Sequence, residues 1–562
     1  MWWTVSRTPH RTRGSAPVAR AGGPASEVRA VREPEPGPPT QPQREPQPQP
    51  EAEPDASLPP FPSSKVLLFM LGPRSAYRPV LYSTREIFCG PDAADHRAPD
   101  GQPIGIRTPV GPYDAAQVVA AAAGGRVEPD LVVVKADATG RNFPLNLAAF
   151  ACPKVLVVGN TQHLDAPIRR LLAYARQEKF DFVVSDHKRH HLHFFVEAGF
   201  PRVAWLPALN VHPHRQPPTS HEPRRELLFV GQTGKYHPFR NQVLGAVKQS
   251  GLPLTVTVAP QARAAALYAG SAISLNCSLN GDLNLRVFEV LSSGGFLLTD
   301  RLAPEAGLEL LFEEGLHYEA FGGVPELIEK ARRYLERPAA AAAIARAGAE
   351  AYWRAHEPSR KAHELMSFVF EGRLPAAYDI VRERRAASVP AASFEAVMAR
   401  APIYEALQEL HLARASCRVL VDQAADERIV CDAVDLPRLR VTVTGTRARA
   451  RPGALALWRH AGVLDRVSWL ADLGPAGGER VWDALILDGH PVVSGAPGDA
   501  RAPGSGPSST GDSVVPSIRA AVVATPAFML IMASAASAAS AAAAAAAAAA
   551  SAPRVVSPAR VA

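Results

Sequence analysis

No C-x-x-C pair occurs anywhere in this chain, and its five cysteines, Cys89, Cys152, Cys277, Cys417 and Cys431, are odd in number and far apart. That scatter supports neither a disulfide framework nor a zinc ribbon. Cys152 and Cys277 sit beside or inside apolar runs, where a thiol behaves as a small hydrophobe, so a reducing, cytoplasmic setting is the expectation. Before the tail the chain has no run of 18 or more apolar residues, which excludes a spanning helix there, and no secretory apolar core is present. Charge is diffuse: the formal balance is +7, but no tight Lys/Arg block makes a nucleic-acid footprint. No Asp-x-Asp triplet exists either, so the usual carboxylate handle for a divalent metal is missing.

What the chain does have is proline, 53 in 562 residues, and much alanine, both concentrated at the ends. Residues 1–64 are rich in Pro, Gln and Glu from Glu33 onward and read as a disordered head. Arg7, Arg11, Arg13 and Arg20 precede its first acidic residue, Glu27, which leaves an organelle-targeting reading open beside plain disorder. Residues 491–562 run from Gly, Pro and Ser into an Ala/Ser tract. Only Val522 to Met532 is notably apolar there, too short to span, so a low-complexity tail is expected and membrane association is not.

Between these ends, helix-strand alternation predicts an α/β protein with parallel sheets covered on both faces. Residues 65–208 carry apolar runs at Val66–Leu71, Leu131–Val134, Val155–Val158, Phe182–Ser185 and Val203–Leu206. The last four are separated by spacers of about twenty residues, long enough for a crossover helix. This predicts a first Rossmann-like domain. Residues 226–370 repeat the pattern at Leu227–Val230, Leu254–Val258, Ile273–Asn276 and Phe296–Thr299, with helices expected over Pro325–Glu336, Ala339–Ala355 and Ser359–Phe370. Two such domains place a ligand cleft between them, and fragment 64–371 is expected to fold alone. Residues 390–490 form a weaker third α/β region, resembling a degenerate class I methyltransferase. Its turn after the first strand, Gln423-Ala424-Ala425-Asp426, lacks the glycine that lets backbone approach a cofactor.

The most informative stretch is Leu279 to Asp300. A short apolar strand leads into Asn280, Gly281 and Asp282, which supply turn and cap chemistry. Leu285, Phe288 and Leu291 then recur at helical spacing until Gly294-Gly295 stops the helix. A strand-turn-helix-strand unit presents free helix amides at the sheet's C-terminal edge, where anions bind. Arg286 and Glu289 share one face of that helix. The arginine suits a phosphate, and the carboxylate can accept from vicinal ribose hydroxyls. Read without a ligand, the two would be a surface ion pair.

With Arg286-Val287-Phe288-Glu289 followed by Gly294-Gly295-Phe296-Leu297-Leu298-Thr299-Asp300, the segment resembles the nucleotide-binding half of GT-B glycosyltransferases. The likeness is to the CgeB-like, spore-maturation branch, with a C-terminal domain of the glycosyltransferase 1/4-like type, and it extends over roughly 65–370. It implies a nucleotide-sugar transferase in which Glu289 is the second glutamate of an E-x7-E motif. The first falls on Gly281, beside Asp282, so the usual contact to the transferred sugar departs from the pattern.

Two further loops bear candidate chemistry. Gly231 and Gly234 in GQTGKYHPFR allow close backbone approach, Lys235 and Arg240 follow, and the spacing is not that of a Walker A loop. The resemblance assigns diphosphate binding to Arg240 more than to Lys235. In the first domain, His163 and the group His187, His190, His191 and His193 lie after strand ends, where an imidazole can take a proton from an acceptor hydroxyl. His163 is the first choice, and exposed imidazoles at a helix start are the plain alternative. The expected catalytic set is therefore His163, Arg240 and Arg286. The expected donor set is Gly231, Lys235, Arg240, Asp282, Arg286 and Glu289, with no metal and no cofactor beyond the nucleoside diphosphate sugar. Glycan, protein and small-molecule acceptors all remain open. So do a non-catalytic nucleotide-sugar-binding protein and a bifunctional glycosyltransferase/methyltransferase.

Overall fold

The computed structural model describes residues 65–73, 85–386, 392–470, 484–487 and 529–532, apart from short gaps at 98–100, 102, 163–165, 212, 217–223, 235–236, 280, 414–415, 423–426, 446, 448–449 and 461–462. The first domain contains β1 (Leu67–Met70), β2 (Glu86–Gly90), β3 (Gly105–Arg107), β4 (Gly111–Asp114), α1 (Ala115–Ala123), β5 (Leu131–Ala136), β6 (Asn142–Leu145), β7 (Lys154–Val158), α2 (Pro167–Gln177), β8 (Phe182–Ser185), α3 (Leu192–Glu197) and β9 (Val203–Trp205). Seven of the strands make one parallel sheet in the order β3-β2-β1-β5-β7-β8-β9. Alternation decides its faces: Leu68 and Met70 join one core, Leu67 and Phe69 the other.

The crossover from β5 to β7 departs from the expected helix. It carries β6, which pairs in parallel with β4 instead. Pro144 within this run cannot donate into a helical ladder, and Asn142 anchors it by donating from Nδ2 to Met70 O and Lys135 O at 2.9 and 2.8 Å.

The second domain contains β10 (Arg224–Val230), α4 (Pro238–Gln249), β11 (Leu254–Thr257), α5 (Gln261–Ala269), β12 (Ser271–Leu275), α6 (Leu285–Ser293), β13 (Leu297–Asp300), β14 (Glu319–Phe321), α7 (Val324–Glu336), α8 (Pro338–Ala355) and α9 (Pro358–Met366). Its parallel sheet has the order β11-β10-β12-β13-β14. α9 and the π turn after it return to the first domain, where Leu365, Met366 and Phe368 pack on Leu67, Phe69 and Val184. Each such side chain contributes about 1.5–3 kcal/mol when buried. Two parallel α/β domains with a helix returning to the first make the GT-B arrangement.

The third region contains α10 (Ile380–Ala386), α11 (Phe394–Ala413), β15 (Cys417–Val421), α12 (Glu427–Val434), β16 (Leu439–Thr444), α13 (Pro452–His460), β17 (Ser468–Leu470), β18 (Ala484–Leu487) and β19 (Met529–Met532). Its parallel order is β17-β16-β15-β18-β19. β19 comes from the stretch expected to be low-complexity tail, and it pairs along the length of β18. The turn 423–426 lies outside the described residues.

This region is clamped to the rest of the molecule, against the expectation that fragment 64–371 is self-sufficient. α11 packs on α2 and α3 of the first domain and on α4 of the second. The α2 helix has Ala166 at its N-cap, with no side-chain oxygen to offer, and Glu405 of α11 serves instead. Its Oε1 accepts from the amides of Ile168 and Arg169 at 2.9 and 3.1 Å. Glu197 of α3 meets Arg400 at 2.7 Å, and His193 meets Asp432 at 3.0 Å. Burial pushes the Glu197 carboxyl up, but Arg400, His193 and Arg384 together outweigh this and hold it below its ordinary value. Removing residues beyond 371 would strip the buried Glu197 carboxylate of both Arg384 and Arg400, which is strongly destabilising. Among the described residues, no helix is long and apolar enough to cross a membrane.

Candidate functional site

The loops after β10 and β12 meet the first turn of α6. The cap of α6 is Asn284, whose side chain accepts from the Arg286 amide at 3.1 Å; the Asn280–Asp282 turn was the expected cap. Asn284 Nδ2 also donates to Asn276 Oδ1 at 3.1 Å, so cap and strand end are locked together. Gly294 ends the helix in the left-handed region, as the Gly294-Gly295 pair predicts.

Arg286, in the first turn, donates through Nε to Val230 O at 2.8 Å and through Nη1 to Asn276 Oδ1 at 2.7 Å. Its guanidinium lies 4.5 Å from the Phe229 ring centroid, and that of Arg240 lies 5.2 Å from the same ring. Arg240 enters from the first turn of α4 and donates to Gln232 O at 2.8 Å and Cys277 O at 3.0 Å. Gly231 has φ of +156°, and a Cβ there would stand 2.2 Å from Arg286 Nη2, so glycine is what admits the arginine. Neither guanidinium pairs with a carboxylate among the described residues. Burial, then the neighbouring Arg286 charge, brings Arg240 down to about 10. Its Nε is buried without a partner.

Asp282 is turned away from this pair. It forms a buried ion pair with Lys188 of the first domain at 2.7 Å, and Lys188 also donates to Gln162 Oε1 at 2.7 Å. Burial pushes the Asp282 carboxyl up, but Lys188 overrides this and holds it well below the carboxylate range. The expected ligand residue is thus a tie between two domains. Glu289 is half-buried one turn beyond Arg286 and accepts from Gln261 Nε2 at 3.5 Å. Lys235 and His163 lie outside the described residues.

The other four histidines are buried rather than exposed. His187 bonds Asp186. His191 sits between Thr161 at 2.5 Å and Tyr404 at 2.8 Å, and His193 between His190 O and Asp432. His190 has no hydrogen-bond partner on either ring nitrogen, and burial followed by the Lys188 charge lowers it to about 3. Among the described residues no group of three His, Cys, Asp or Glu side chains could hold a metal.

Lys188 and Arg438 are functional candidates that the motifs did not single out. Lys188 is flanked by the histidines that drew notice, and Arg438 sits in the region read as degenerate; only tertiary placement brings them to the cleft. A cavity of about 1160 Å³ opens elsewhere, lined by Lys154, Asp181, Arg202 and Phe368. It lies at the starting ends of β7, β8 and β9, whereas parallel sheets bind ligands at the opposite, carboxyl ends. The arginine-lined loops are therefore the stronger candidate.

Residues 234–367 match the family model described as glycosyl transferase-like, so the second domain carries a glycosyltransferase-like domain. No curated protein matches this chain. Similar solved structures include TarM of S. aureus, at 10% identity and a TM-score of 0.33, over 43% of this chain and 54% of TarM. This chain thus spans about half the length of TarM. HepE of Anabaena, solved with UDP-glucose, is 11% identical with a TM-score of 0.39, over 54% of this chain and 99% of its own. Sucrose-phosphate synthase of Thermosynechococcus elongatus is 12% identical with a TM-score of 0.38, over 55% of this chain and all of its own.

Proposed function

We propose that this protein is a glycosyltransferase that takes its sugar from a nucleoside diphosphate donor. The observation that carries this reading is the convergence of Arg240 and Arg286 on one ring, at the sheet's carboxyl edge, inside the glycosyl transferase-like match. Departure of a nucleoside diphosphate leaves negative charge that must be stabilised as it forms. Two guanidiniums without carboxylate partners among the described residues, set beside the N-terminus of α6, suit that charge. Each is oriented by loop carbonyls, so little reorganisation accompanies the reaction. In this reading the leaving group needs no divalent metal, Glu289 accepts from the ribose hydroxyls, and Gly231 lets the backbone approach the phosphates. His163 remains the proposed proton acceptor for the incoming hydroxyl, and Lys235 a further contact to the diphosphate. The reading belongs to the same broad GT-B class as the CgeB-like branch; the acceptor is the open part.

The test is a thermal-shift screen of the full-length protein with UDP, GDP, dTDP and ADP, repeated in EDTA. One of them at 100 times its Kd should stabilise the protein by about 2.7 kcal/mol, with or without chelator. Absence of a shift with all four would remove the donor site. A shift that chelation abolishes and Mn²⁺ or Mg²⁺ restores would overturn the metal-free mechanism.

A further inference from the structure

The departure at Gly281 has a structural counterpart in the third region. Gly281 has φ of +72°, and a Cβ built there would stand 2.5 Å from Pro437 Cδ and 2.8 Å from Pro437 Cγ. The space that a side chain at 281 needs is filled by the loop between α12 and β16. The next residue on that loop, Arg438, donates through Nη2 to Leu279 O at 3.1 Å, and its guanidinium lies 3.9 Å from the Phe239 ring centroid. Leu279 begins the turn into α6, and Phe239 precedes Arg240 in α4. Resting on the donor reading above, we propose that the third α/β region is a wall of the nucleotide-sugar site and that Arg438 is its cation toward the donor diphosphate.

Charge is the independent argument. Arg286 donates to Asn276 Oδ1, Arg240 to Cys277 O and Arg438 to Leu279 O, so the three guanidiniums gather about one strand end. None of the three forms an ion pair among the described residues. Two carboxylates lie near them, each with other partners: Asp282 pairs with Lys188, and Asp300 accepts from the amide and hydroxyl of Ser278. Burial also raises Asp300 above its ordinary value, which weakens it as a counter-ion. Burial depresses Arg438 to about 10, as it does Arg240. Buried cations without partners are costly, and a dianionic diphosphate supplies what this site lacks. Nε and Nη2 of Arg438 are committed to His411 O, His411 Nδ1 and Leu279 O, while Nη1 makes no hydrogen bond among the described residues.

The test compares each nucleoside diphosphate with its own nucleoside on full-length protein, using whichever of UDP, GDP, dTDP or ADP the wild type binds. Arg438→Ala should weaken the diphosphate at least tenfold and leave the nucleoside unchanged, and Arg438→Lys should recover part of the loss. Raising salt should weaken the wild type more than Arg438→Ala. Equal losses for nucleoside and diphosphate would show that Arg438 only docks the third region, and unchanged affinity would remove it from the site; either overturns the proposal. Tighter diphosphate binding in Arg438→Ala would also overturn it, by making the loop an obstruction. If Arg438→Ala does not fold, Arg438→Gln and Arg438→Lys decide: a loss confined to the diphosphate in the glutamine variant, partly restored by lysine, supports the proposal, and loss of both ligands or of neither refutes it. A wild type that binds no nucleoside diphosphate defeats the donor reading itself, an outcome distinct from all of these.

Discussion

At the residue scale, the buried groups that bear charge are the ones the fold must account for. His190 is the clearest case, since neither ring nitrogen has a partner and its value is lowered to about 3. As pH falls, the unfolded chain takes up the proton first, near 6.5, while the folded chain resists it. Its contribution is therefore intact at neutral pH and is lost as pH falls from about 6.5 toward 3. Between pH 7 and pH 5 that loss is about 2 kcal/mol. Urea titrations at the two pH values should show His190→Phe losing about 2 kcal/mol less than wild type; equal losses would mean that His190 is not buried in its neutral form. Arg286, Arg240 and Glu289 were legible in the sequence as candidates because motif and helix face converge on them. The oxygens that hold the two arginines were not, because spacing along a chain does not say which oxygen a guanidinium will reach. The pairing of Asp282 with Lys188, 94 residues away, was hidden for the same reason.

At the scale of elements, apolar runs located the strands well. Phe182–Ser185 and Ala484–Leu487 have the bounds that their composition predicts, because central strands of a parallel sheet read as continuous, largely apolar runs. Short strands with mixed composition escaped: Gly105–Arg107 and Gly111–Asp114 contain glycine and charge and show no periodicity. The long helix α11 escaped for another reason. It touches several neighbours at once, so it has no single apolar stripe to detect, and Pro402 lies inside it. Its Glu405 is the substitute cap of α2. Glu405→Ala should leave two helix amides unsatisfied and cost about 2 kcal/mol. Equilibrium urea unfolding reads this directly, and a loss below about 0.5 kcal/mol would show that the α2–α11 junction is solvated.

At the scale of the molecule, the three α/β units pack against one another. The first two make the GT-B pair, and the third crosses both and reaches the donor loops through Arg438. Sequence pattern could identify each unit as α/β, because that depends on local alternation. It could not show the third closing over the other two, because interfaces are made of side chains distant in sequence. The central claim is catalytic, and release of nucleoside diphosphate from a panel of nucleotide sugars, measured in EDTA, tests it most directly. The wild type should turn over at least one donor, and Arg240→Ala and Arg286→Ala should each lose about 10² to 10³ in rate while keeping the wild-type urea midpoint. Binding of a nucleotide sugar with no release from any donor would contradict the account and leave a non-catalytic binding protein.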